Sequence, residues 1–112
     1  MASIAKKTLL EVVGLSANTN SDSQSMPGDT TGHIAYLKCA NVVGGGTIAG
    51  TITHSADKTN WVTLATFTGL SAAGVELQAI TASILPNIRA EITITAGTAD
   101  VEASLWYDPR TR

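Results

Sequence analysis

From Ile88 to Tyr107 the chain alternates apolar and polar positions almost without a break. Ile88, Ala90, Ile92 and Ile94 take one set of positions; Arg89, Glu91, Thr93 and Thr95 take the other. After Ala96-Gly97-Thr98, the residues Val101, Ala103, Leu105 and Tyr107 resume the apolar set, opposite Asp100, Glu102, Ser104 and Trp106. A period of two marks strands with one wet face, so this segment predicts a hairpin turning at residues 96–98. A second hairpin is predicted over Thr47–Phe67, where two β-rich runs flank the polar turn Ser55–Asn60 and Trp61 opens the return run. There Ile48 and Ile52 share a face with Gly50 and His54. On the return run Val62, Leu64 and Thr66 oppose Trp61, Thr63, Ala65 and Phe67. Both of those faces carry apolar groups, so periodicity leaves the core side open.

The remaining elements are shorter or less regular. Residues 1–6 read as a tail, and Thr8–Gly14 as a first strand with a short helix as the alternative. Residues 15–32 form a long polar loop ending in Pro27, Gly28 and Gly32. Loops of more than about 12–15 residues are uncommon in compact domains and are functional or disordered; the two readings are a loop ordered by a partner and a plain flexible one. His33–Val43 alternates Ile34, Tyr36, Lys38 and Ala40 against Ala35, Leu37, Cys39 and Asn41, the second set being the better core face. Gly44-Gly45-Gly46 is a turn, and without a following helix or a Lys-Ser/Thr pair it is no phosphate loop. Thr68–Gly74 is a loop, Val75–Ile80 a strand, Thr81–Leu85 a bend or one helical turn, and residues 108–112 a C-terminal tail. The expected fold is a single all-β domain over 1–112, an antiparallel β-sandwich, jelly-roll-like, with a long N-terminal loop.

Composition sharpens this picture. The 112 residues carry 7 basic and 9 acidic side chains, a net charge of −2 that gives no basic stripe for nucleic acid. Only 14% of residues are charged, so the surface is neutral and hydroxyl-rich, weakly protected against self-association. Two readings follow: a surface covered by partners, or a soluble monomer solvated by hydroxyls. Cys39 is the sole cysteine, which excludes an intrachain disulfide. Glu11 interrupts the apolar run behind Lys6 and Lys7, against a signal peptide, and no run approaches the roughly 20 apolar residues of a membrane helix. The expectation is a soluble, non-secreted product with no membrane partner.

Candidate chemistry is sparse. His33 and His54 are the two imidazoles, and neither sits beside a Ser or Cys in an elbow pattern, so each reads as structural or solvent-exposed. His33, Cys39 and His54 have no short-spaced pair to hold zinc. Asp57, Glu76, Glu91 and Glu102 could furnish a carboxylate pair, but Glu91 and Glu102 read better as wet-face residues, with Arg89 as an ion-pair partner. Two Trp, two Tyr and one Phe are little material for a cofactor or sugar pocket. The expectation is no enzyme, no metal and no cofactor. Trp106 stands out because alternation turns it away from the apolar face. It is either a contact residue, as Trp often is at interface cores, or it is covered by the second sheet or the N-terminal strand.

His54–Trp61 (His-Ser-x-Asp-x-x-Asn-Trp), Leu85–Ala90 (Leu-Pro-x-Ile-Arg-Ala) and Ile92–Thr98 resemble small β-sandwich structural proteins of tailed bacteriophages, nearest in size to the capsid decoration (cement or staple) type. The likeness runs over roughly residues 47–107. The Ser-x-Asp hairpin also resembles carbohydrate-binding sandwiches, many of which have Gly after the Asp where this chain has Lys58. The resemblance implies a non-catalytic virion protein, assembled in the host cytoplasm, that binds the outside of a shell of major capsid protein. A homo-oligomer, dimer or trimer, is expected there, with Lys6, Lys7, Trp106, Tyr107, Arg110 and Arg112 as contact residues. The alternatives are a tail, neck or baseplate component and a carbohydrate-binding module.

Overall fold

A computed structural model describes residues 5–26 and 31–108. Arg110 and Arg112, with the ends of both expected tails and the close of the long loop, lie outside the described residues. The strands are β1 (Ala5–Leu15), β2 (Thr19–Asn20), β3 (Gln24–Ser25), β4 (Thr31–Val43), β5 (Ile48–Ser55), β6 (Val62–Leu70), β7 (Gly74–Ala79), β8 (Asn87–Ile94) and β9 (Thr98–Asp108). Among the described residues there is no helix. A first sheet runs β1-β9-β4-β7 and a second runs β2-β8-β5-β6, with β3 also on β8. Taking β2 and β3 as one broken strand, the chain changes sheet at every connection except β5 to β6. That wrapping is the jelly roll, an all-β sandwich of antiparallel strands.

The predicted central hairpin is therefore real: β5 and β6 pair from Ile48↔Leu70 to His54↔Val62 around the polar turn. Its open question has an answer that changes along the strand: Ala65 and Phe67 are buried and Thr66 is exposed, while a register shift between Ala65 and Thr63 turns Thr63 outward as well. The predicted last hairpin is not one. β8 pairs with β5 and β9 with β4 and β1, so residues 95–97 carry the chain from one sheet to the other. Gly97 makes the crossing possible. It has φ +70°, and a Cβ there would run into the Val43 carbonyl beside Gly44.

Boundaries also move: residues 31 and 32, expected in the long loop, open β4, and residues 68–70, expected in the following loop, close β6. β1 begins at Ala5, so Lys6 belongs to a strand and not to the tail. Asp108 closes β9 and not a C-terminal tail. Residues 15–26 are no plain loop: Ser21 N bonds Ala90 O, Met26 N bonds Pro86 O, and Leu15 and Met26 are buried.

The core lies between the sheets. Leu37, Val101, Ala103 and Leu105 face Ile48, Ile52, Ile88, Ala90 and Ile92, all at most 2% exposed. Each fully buried Ile or Leu contributes about 1.5–3 kcal/mol of transfer free energy. Cys39 belongs to this core, where burial, aided by the nearby Glu76 carboxylate, pushes its thiol up to about 11. It is a small hydrophobe, not a nucleophile.

Candidate interaction surface

Strand pairing assigns the outward residues of the first sheet row by row. Lys6, Trp106, Ile34 and Ala79 form one row, followed by Thr8, Ser104, Tyr36 and Leu77, then Glu102, Lys38 and Val75. Ile34, Val75 and Leu77 are 38%, 48% and 58% exposed, and Trp106 and Tyr36 are half-buried. Trp106 does face outward, and it is also partly covered. Its ring lies 5.7 Å from that of Tyr36 in a tilted pair, and Lys6 Nζ sits 5.4 Å from its centroid. The indole N–H donates to Ser104 Oγ at 3.1 Å, which fixes the ring on its own strand.

Lys6 is held by Glu102, Nζ to Oε2 at 2.6 Å, and the bond raises the lysine above its ordinary value. Glu102 thus pairs with Lys6, while Arg89 pairs along its own strand with Glu91 at 3.2 Å. Tyr107 is corrected outright as a surface contact: it points into the core, 9% exposed, and stacks on His33 with centroids 6.1 Å apart. Below Lys38 the same face deepens into an open groove of about 330 Å³ lined by Glu11, Val13, Lys38, Ala40, Asp100 and Glu102. Asp100 is committed there, accepting from Asn41 Nδ2 at 2.7 Å and Gly14 N at 2.9 Å, which lower its pKa in that order.

The other candidate groups are structural. His54 is buried, and its Nδ1 accepts the Leu85 N–H at 3.1 Å, tying the β7–β8 connection to β5. Burial lowers the pKa of both His54 and His33. Asp57 organises the β5–β6 turn: its Oδ1 accepts from Asn60 N, Thr59 N and Ser55 Oγ, and its Oδ2 from Asn60 Nδ2. Those bonds, led by Asn60, hold its carboxyl far below the carboxylate range. Lys58 takes the left-handed position, φ +64°, that glycine would favour. Trp61 is not a free platform either, since Arg89 lies over its ring at 4.3 Å. Among the described residues no group of three or more His, Cys, Asp or Glu converges.

Sequence reasoning missed Leu77, Val75 and Ile34 as surface candidates. Their clustering depends on β7 lying beside β4, which no local pattern announces.

Solved structures share the fold. The chain is similar to structures of infectious bursal disease virus: the VP2 subviral particle (TM-score 0.64, 14% identity), the T13 viral particle (0.62, 14%) and the Gx strain (0.58, 17%). Each match covers 94% of this chain and 30–31% of the other, so the chain spans under a third of the length of the viral chains it matches. At this identity the likeness is one of fold. No family model and no curated protein sequence matches the chain.

Proposed function

We propose that this chain is a non-enzymatic structural protein of a virion, a decoration or cement protein bound to the outside of a capsid shell. The observation that carries the reading is the jelly roll itself, whose 94% coverage falls on chains from viral particles. The first sheet's outward face adds support, because it offers an aromatic and aliphatic surface with Lys6 and Glu102 at its rim. Contacts of modest strength suffice on a lattice, where many copies act together. The proposed partner is the major capsid protein. The contact set keeps Lys6 and Trp106 and gains Ile34 and Tyr36; Tyr107 leaves it, as does Lys7, which lies opposite the inward Leu105 on the edge strand.

Quantitative mass spectrometry of purified particles from producing cells tests this. Copies at the multiplicity of the shell protein, cleaved by protease on intact particles, are expected. A handful of copies per particle indicates a tail, neck or baseplate component instead, and absence from particles overturns the reading.

A further inference from the structure

An open sheet edge is a template for another strand, and native proteins blunt it with charge, bulges or breaks. Three of the four edges here are blunted. β1 carries Lys6, Lys7 and Glu11 and shifts register twice against β9. The β2/β3 edge is broken into pieces of 2 residues. β6 shifts register against β5, and its Thr68 and Gly69 amides are taken by the Glu76 carboxylate at 2.6 and 2.9 Å. Among the described residues β7 is the least protected of the four. Its sequence, GVELQA, lacks Pro, Lys and Arg, and it pairs with β4 from Ile34↔Ala79 to Cys39↔Gly74 without a shift. Its one charge, Glu76, is turned back onto β6. Val75, Leu77 and Ala79 meanwhile present an exposed apolar column along the open edge.

We infer that β7 pairs antiparallel with β7 of a second copy, about a two-fold axis at Leu77, joining the two first sheets into one. Side-chain chemistry selects this occupant and this register. With the axis at Leu77, Val75 lies opposite Ala79 and Glu76 opposite Gln78, so apolar meets apolar and acid meets amide. An axis at Glu76 would oppose two carboxylates, a destabilising pair, and an axis at Gln78 would shorten the pairing. The apolar columns of the two copies then lie side by side on one face, roughly 5 Å apart, and continue into Ile34 and Tyr36 of each copy. A single pair of short strands is a small interface, so a weak, concentration-dependent dimer is expected. The pairing does not depend on a capsid.

Sedimentation of the full chain over a range of concentrations should show monomer and dimer in equilibrium. Leu77→Lys, at an exposed site, should weaken the dimer about tenfold or more while the circular dichroism spectrum stays unchanged. Leu77→Cys should form a disulfide-linked dimer under mild oxidant, because directly opposed strand residues fall within disulfide reach. Val13→Cys, 84% exposed on the opposite edge, should link far more slowly. Val75→Cys should link efficiently only when combined with Ala79→Cys. Cys39 is buried and does not compete. A monomer at every concentration, a dimer indifferent to Leu77→Lys, or equal cross-linking of Leu77→Cys and Val13→Cys each overturns the inference. The first of these would leave the edge to a strand of another protein.

Discussion

On the outer face of the first sheet, neighbouring columns read Val75, Leu77 and Ala79 on β7 and Ile34 and Tyr36 on β4, with Trp106 beside them on β9. On the second sheet the outward positions of β5, β6 and β8 read Ala49, Thr51, Thr63, Thr66, Arg89, Glu91 and Thr93, with Thr53 covered beneath Arg89 and Glu91. Both sheets bury aliphatic inner faces, and both outer faces use residues that suit a pleated strand. Threonine and valine have nearly the same shape, so strand formation does not require the difference. What differs is hydration: a threonine face is content in water, whereas an apolar face gains by being covered. The contrast is what makes the first sheet the contact side in the function proposed above.

The largest effect should come from Trp106→Ala. Buried Trp→Ala changes cost about 3–5 kcal/mol; for this half-covered ring about 2 kcal/mol is expected in urea unfolding. Thr93→Ala, at an exposed position of the other face, should stay within about 0.5 kcal/mol. Equal losses would break the comparison. Next is Glu76→Gln. Burial works against the charge of Glu76, but bonds from Gln78, Gly69 and Thr68 outweigh it and hold its pKa low. Charged hydrogen bonds contribute about 1.5–3 kcal/mol each, and Gln retains part of them, so a loss of about 1 kcal/mol is expected in the same assay. Because this carboxylate ties β7 to β6, hydrogen exchange should speed up at Thr68 and Gly69 more than at Thr93.

The strands themselves were legible in the sequence, and their partners were not. Alternation places Trp106 outward and Tyr107 inward correctly, because period two is local. It is silent on which strand lies alongside. The short link between β8 and β9 looks the same whether the strands pair or part to opposite sheets, which is how residues 88–107 resemble a hairpin and are not one. Polar composition made residues 15–26 look like a loop, although Ser21 Oγ, accepting Ala90 N–H at 2.8 Å, is part of what moors it. The exposed column on β7 was hidden in VELQAI, where neither face is plainly polar.

A smaller effect separates the sheets by pH. Each has one buried histidine, His33 on the first and His54 on the second, and burial depresses both pKa values. Protons then bind the unfolded chain more readily, so stability is full above the ordinary histidine value, near pH 6.5, and falls as pH drops below it. Protonation would also remove the acceptor that His54 Nδ1 offers Leu85. Replacing His54 with Gln should lower stability at pH 8 slightly and flatten the decline between pH 7 and 5. An unchanged acid slope would assign the decline to His33 and the first sheet.

The smallest effect is expected at the tip of the second sheet's hairpin, and it should be a gain. Lys58 holds φ +64°, a conformation that costs a residue with a Cβ about 1–2 kcal/mol. Glycine removes that strain but gives the unfolded chain more freedom, worth about 0.4–1 kcal/mol in the opposite sense. The backbone contacts at this position survive the change, since Ser55 Oγ accepts the Lys58 N–H at 2.9 Å and the Lys58 carbonyl accepts Trp61 Nε1 at 3.3 Å. Lys58→Gly should therefore stabilise by about 0.5 kcal/mol in urea unfolding and leave dimerisation and particle binding unchanged. A change in either would mean that the hairpin tip contributes to contacts, and the threonine side would no longer be the uncommitted half of the molecule.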